Sequence, residues 1–147
     1  MKLIDYSQVY YSVLNKQPVP ARRKGKFVYL INIASVEEFL ILSPIELSKY
    51  HATIVERFCQ LNAIEGRYTT AKRDYFEIHD SDWTIMGGGY WEIDDTVKTI
   101  VLNGCSQAYG SCDLKDLRAK ILIANCVKCE SISRTEDWKS EDEDKLR

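Results

Sequence analysis

The sequence predicts a single α/β domain, and three observations carry that prediction. A continuous β-rich apolar run at residues 27–33 is followed by an amphipathic stretch ending near Asn62, so strand and helix periods alternate early. Strand-like segments recur at residues 75–78, 83–86, 90–93 and 98–102, and a second helical pattern follows in Leu114, Leu117, Ile121 and Leu122. The 147 residues, 45% of them hydrophobic, suffice for one well-filled core.

Composition narrows the function classes. A net charge of −2 gives no electrostatic case for binding nucleic acid or a membrane surface. No apolar run reaches transmembrane length, no signal-peptide pattern opens the chain, and an early Asp5 with little arginine makes a poor transit peptide. These features predict a cytoplasmic protein. Five cysteines are an odd number and fit reduced thiols better than a disulfide framework. Cys126 and Cys129 form a CxxC, but no second pair and no nearby histidine completes a zinc site. They read as ordinary thiols, with no metal or cofactor expected.

Taken in order, residues 1–17 form a short helix or lie extended, and Pro18-Val19-Pro20 ends them. Residues 21–26 make a basic connector, so residues 1–25 read as an N-terminal extension. The run at 27–33 is a buried strand, and residues 36–42 offer a second, weakened by Glu37 and Glu38. The first long helix carries an apolar stripe of Tyr50, Ile54, Phe58 and Leu61, with His51 at its edge. Gly87, Gly88 and Gly89 interrupt strand-like sequence, where their entropy cost implies a bulge, a tight hairpin or a ligand-facing loop. No Gly-Lys-Ser/Thr follows, so this is not a P-loop. Asp113 is placed to cap the second helix, residues 126–133 can add an edge strand, and residues 134–147 form an acidic tail expected to be disordered.

His51, one of two histidines, is the candidate for chemistry. With Ser48 as N-cap it falls in the first helical turn, where backbone N–H groups and the helix dipole welcome an anion and favour a neutral imidazole. Such an imidazole can attack phosphorus or deprotonate water. Ser43-Pro44-Ile45-Glu46 is an alternative helix start that would bury His51 two turns inside and remove this argument. His79, followed by Asp80-Ser81-Asp82, reads as a surface turn residue. The small-residue loop from Asn103 to Asp113 can aim N–H groups and the Ser106 hydroxyl at an anion, or serve as a plain β–α connection.

Three blocks occur in fixed order: Tyr50-His51-Ala52-x-Ile54, Gly87-Gly88-Gly89, and Gly104-x-Ser106-x-Ala108-Tyr109-Gly110. This order resembles the small protein-histidine phosphatases and their Janus/Ocnus relatives. The resemblance spans residues 26–120 and implies a domain at 26–133: a mixed, about six-stranded β-sheet packed between two main helices. It implies a monomer that works without metal or cofactor and removes phosphoryl groups from phosphohistidine, or phospholysine, in protein substrates. On this resemblance His51 is the catalytic histidine, as nucleophile or general base. The N–H groups of His51 and Ala52 hold the phosphate, and Ser106 and Ala108 complete the anion pocket. Lys26, Gly87, Gly88, Gly89 and Tyr90 are candidate substrate contacts.

The sequence also departs from the family pattern. Tyr90 stands where the family places an arginine, and Phe27 aligns with its strand lysine. Lys26 is then one residue off and expected on the opposite face. Another basic family position falls near Ser43. Arg22, Arg23 or Lys24 could restore the missing charge, and an insertion at 64–80 separates the helix from the glycines. An alternative therefore stands beside the enzyme: a catalytically weak Janus-like protein that binds phosphorylated partners.

Overall fold

A computed structural model describes residues 1–125 and 128–131 of the chain. The elements run β1 (Lys2–Asp5), a π-helix (Gln8–Leu14), β2 (Arg22–Asn32), β3 (Glu37–Pro44), α1 (His51–Leu61), β4 (Gly66–Tyr68), β5 (Phe76–Ile78), β6 (Trp83–Asp94), β7 (Thr99–Asn103), α2 (Leu114–Asn125) and β8 (Lys128–Ser131). Six strands form one mixed sheet in the order β1-β3-β2-β6-β7-β8, while β4 and β5 make a separate antiparallel hairpin. The central pairings are antiparallel, and the two edge pairings, β1 with β3 and β7 with β8, are parallel.

Alternation along the strands sends side chains to two cores. Val28, Leu30, Phe39 and Ile41 face α1, where they meet Ala52, Ile54, Val55 and Phe58. Phe27, Tyr29, Leu40, Leu42, Trp91 and Leu102 face α2, where they meet Leu114, Leu117 and Ile121. On the α1 side Phe39, Phe58 and Trp83 form a triangle of rings with centroids 5.3–5.5 Å apart. Each such pair adds about 0.5–1.5 kcal/mol to simple burial. On the α2 side the Asp113 carboxylate accepts the Asp116 N–H at 3.0 Å, so Asp113 is the expected cap. The buried Trp91 indole N–H is shared between the carbonyls of Lys26 (2.9 Å) and Ser43 (3.2 Å) and locks β6 across β2 and β3.

Several expectations are corrected by this architecture. There are three helices among the described residues rather than two, because residues 8–14 close a π-helical segment. The first 25 residues are not a mere extension: β1 is a sheet strand, and the basic stretch is already β2, which starts at Arg22. At the start of this strand Arg23 pairs with Asp5 (3.3 Å) and Asp95 (2.7 Å). In α1 the stripe ends at Phe58 and Cys59, and Leu61 is exposed because it lies past the last turn that touches the sheet. The three glycines are neither hairpin nor loop. They lie within the continuous strand β6, beside a bulge where the register against β2 slips between Tyr29 and Leu30. Residues 126–127 and the acidic tail lie outside the described residues.

Candidate active site

Helix α1 begins at His51, with Tyr50 as its extended N-cap (φ −122°, ψ 155°). Ser48 is not the cap. Its hydroxyl lies 2.6 Å from Ser43 Oγ and accepts from Arg57 Nη1 at 2.9 Å, so tertiary partners hold it beneath the loop entering the helix. The alternative start is excluded as well, since Ser43 and Pro44 close β3. His51 and Ala52 are therefore the first two helical residues, and their N–H groups face out from the positive end of α1.

The His51 ring is fixed by the strand behind it. Its Nε2 lies 2.8 Å from the Gly89 carbonyl oxygen. A carbonyl only accepts, so Nε2 carries the proton, and in the neutral form of the ring the lone pair then lies on Nδ1. His51 is 6% exposed, and its ring meets Tyr90 edge to face, with centroids 5.6 Å apart. Gly88 makes this packing feasible: a Cβ there would lie 2.7 Å from the Phe27 carbonyl oxygen, 3.0 Å from His51 Cδ2 and 3.1 Å from Ser106 Cβ. Gly104, at φ +70°, plays the same part for Tyr90, whose Cδ2 a Cβ would approach to 2.6 Å.

A cavity of about 290 Å³ opens in front of the histidine. Lys26, His51 and Tyr90 form one side, Tyr50 flanks them, and Gln107 and Ala108 come from the β7–α2 loop. Asp74 and Tyr75 enter from the β4–β5 hairpin. Lys26 does not point away as the offset of one residue implied. Register pairs it with Ser43 and Tyr90, and the strand phase places it on the α1 face with Val28 and Leu30. Its Nζ donates to the Lys49 carbonyl at 2.8 Å and lies 5.9 Å from the Tyr90 ring centroid. An ammonium buried this way is costly unless its remaining donors serve an acceptor.

The loop residues divide the expected roles. Ser106 is buried behind the wall, where its hydroxyl accepts the Tyr109 N–H at 3.1 Å. A backbone pair between Ser106 and Gly110 (2.7 and 3.1 Å) and the Gly88 N–H to the Gly110 carbonyl (3.1 Å) tie the loop to β6. Ser106 thus positions the loop, and Gln107 and Ala108 at its tip face the cavity. Gly87 lies against the Ser111 carbonyl, away from the wall. Arg22, Arg23 and Lys24, proposed as substitute charges, are absent from the wall, and Arg22 and Arg23 are engaged by acidic residues. His79 is exposed, 3.5 Å from Glu77.

Tyr50, Asp74, Tyr75 and Gln107 are wall residues that the sequence alone did not single out. For Asp74 and Tyr75 the insertion at 64–80 was the visible signal. Among the described residues no cysteine lines the wall, and burial pushes the Cys59 and Cys112 thiols up to about 11, which leaves them unreactive at neutral pH. Among the described residues no group of three or more His, Cys, Asp or Glu is placed to hold a metal ion. No helix among them is long and apolar enough to cross a membrane.

A single α/β domain with a histidine at a helix N-terminus, backed by a glycine-rich strand and fronted by a cavity holding one lysine, defines the class. The chain matches the Janus/Ocnus family (Ocnus) over residues 15–130, and it belongs to that family. No curated protein matches it significantly.

Proposed function

We propose that this chain is a metal-independent protein phosphohistidine phosphatase acting on phosphohistidine, or phospholysine, in cytoplasmic proteins. The observation that carries this reading is His51: the first residue of α1, its Nε2 donating to Gly89, in the wall of a cavity shared with Lys26. Family membership supports a hydrolase of this general kind. In the proposed reaction the N–H groups of His51 and Ala52 and the Lys26 ammonium take up the phosphoryl oxygens. The Nδ1 lone pair then attacks phosphorus, or takes the proton of a water that does. The Gly89 carbonyl holds the ring in the tautomer that either step needs and stabilises the cation that forms. Rapid acid-free quenching that traps phosphate on His51 distinguishes the first route from the second.

The test is phosphate release from a phosphohistidine peptide with EDTA present, comparing wild type with His51→Ala. Turnover that survives the chelator and disappears in the variant is the expected result. One observation favours a second reading: Tyr90 replaces the family arginine, so among the described residues the wall's only lysine or arginine is Lys26. If neither protein turns over but both bind the phosphopeptide, the chain is a Janus-like phosphoprotein-binding protein.

A further inference from the structure

The β4–β5 hairpin, spanning Gly66–Ile78, brings an acidic side chain into a cavity whose other charges suit an anion. We infer that Asp74 makes this site selective for phosphoryl groups carried on nitrogen over those carried on oxygen, and so deepens the phosphatase reading on which it rests.

Asp74 and Tyr75 reach the cavity from the hairpin, whereas Lys26, His51 and Tyr90 reach it from the sheet and α1. The hairpin is held in place. Tyr109, on the loop beside the cavity, donates its hydroxyl to the Phe76 carbonyl at 2.8 Å and accepts the Phe76 N–H at 3.0 Å. The Tyr75 and Tyr109 rings lie 5.0 Å apart, which makes the hairpin wall aromatic. Thr70 Oγ1 donates to Asp74 Oδ1 at 2.6 Å and sets the carboxylate's orientation.

A carboxylate beside a phosphate site repels a phosphate ester, which brings only negative charge. A phosphoramidate differs, because its leaving group can carry a proton: phospholysine on the nitrogen bonded to phosphorus, phosphohistidine on the other ring nitrogen. That N–H is a charge-assisted donor to a carboxylate, while the phosphoryl oxygens face Lys26 and the start of α1. The chemistry then balances without a further acid. Attack at phosphorus, by Nδ1 or by water, breaks the P–N bond. The bonding pair moves to the nitrogen that carried phosphorus, and the group, already protonated, departs as neutral imidazole or amine. Asp74 stabilises the protonated nitrogen up to that point. The Tyr75 face gives the departing ring or alkyl chain an apolar surface.

The experiment measures kcat/KM for wild type, Asp74→Asn and Thr70→Val on one peptide carrying phosphohistidine and on the same peptide carrying phosphotyrosine. Asp74→Asn should lower the phosphohistidine rate on the order of tenfold, the effect of losing one hydrogen bond to a charged group. Its phosphotyrosine rate should stay level or rise, so the selectivity ratio collapses. Thr70→Val should move the ratio the same way by less. Asp74 is exposed, so thermal unfolding should be unchanged and a folding defect is not the explanation. An active wild type whose selectivity is untouched by Asp74→Asn overturns this inference and leaves the phosphatase reading standing. A wild type inactive on both peptides overturns both.

Discussion

The two faces of the central sheet are built from the same strands and do opposite things. Towards α2 the buried side chains are largely apolar, from Phe27 and Leu42 to Trp91 and Leu117, and apart from the Trp91 indole N–H the polar links described lie at the rim. Towards α1 the same strands and their neighbours bury Lys26, Ser43, Ser48, His51 and Ser106. Burying polar groups opposes folding unless each finds a partner, so a one-sided concentration of them signals a site rather than a core. The bulk of the stabilisation is contributed by the large apolar residues of both cores. Around the N-terminus of α1 the packing instead holds a histidine and a lysine in fixed positions.

The largest expected effect separates the faces outright. His51→Ala should cut kcat by a factor of about 10²–10⁴, the usual contribution of a positioned acid–base group, while leaving the urea midpoint nearly unchanged. Leu117→Ala on the other face should do the reverse, losing about 2–5 kcal/mol in urea unfolding with kcat of the folded fraction intact. A loss of kcat in the leucine variant, measured where it is still folded, would break the comparison. Gly88→Ala should affect both quantities. Its Cβ has no room between the Phe27 carbonyl and the His51 ring, so overpacking of about 1–3 kcal/mol and a displaced imidazole are expected together.

Lys26→Met sharpens the contrast further. Removing the Lys26 ammonium leaves the Lys49 carbonyl without its donor, so stability should fall by no more than about 1–3 kcal/mol. Affinity for inorganic phosphate, followed by calorimetry, should nevertheless fall roughly tenfold as a charged hydrogen bond is lost.

The smallest effect belongs to the α2 rim, where Lys120 Nζ lies 2.6 Å from Glu38 and Tyr29 also hydrogen-bonds Glu38. Hydrogen bonds from Lys120 and Tyr29 hold the Glu38 carboxyl below its ordinary value of 4.5. A depressed carboxyl stabilises the fold above pH 4.5, and that contribution is lost as pH falls through the lower folded value. Burial lowers the Lys120 pKa, but its hydrogen bonds to Asp116, Glu38 and Tyr29 outweigh this and push it above 10.5. Its contribution is therefore complete below pH 10.5 and lost only at higher pH. For a partly exposed pair the effect is about 0–1 kcal/mol, and Glu38→Gln should flatten the acid limb of stability against pH.

Local patterns made much of this readable. The apolar strand from Phe27 on, the stripe of Ile54 and Phe58, and the Asp113 cap follow from short-range chemistry and stand in the structure, although the strand ends at Asn32 and leaves Ile33 exposed. His51 was legible as a residue near a helix start. What remained hidden depends on partners distant in sequence. Ser48 looks like a cap by propensity, yet Arg57 and Ser43 claim its hydroxyl. The face taken by Lys26 depends on the phase of β2 against β3 and β6, which a one-residue offset reverses. Strand β1 is too short to declare itself without β3 beside it. Asp74 and Tyr75 sit in a polar insertion with no periodicity, and Tyr109, 33 residues from Phe76, is what docks them at the site.

The most direct test of the account is an NMR titration of the wild-type protein with inorganic phosphate, following backbone amides and the His51 imidazole. The account predicts saturable shifts centred on the His51 and Ala52 amides and the His51 ring, extending to Gln107 and Ala108, and weakened in Lys26→Met. Shifts centred instead on the separate groove lined by Arg67 and Arg73, or none at the start of α1, would contradict it.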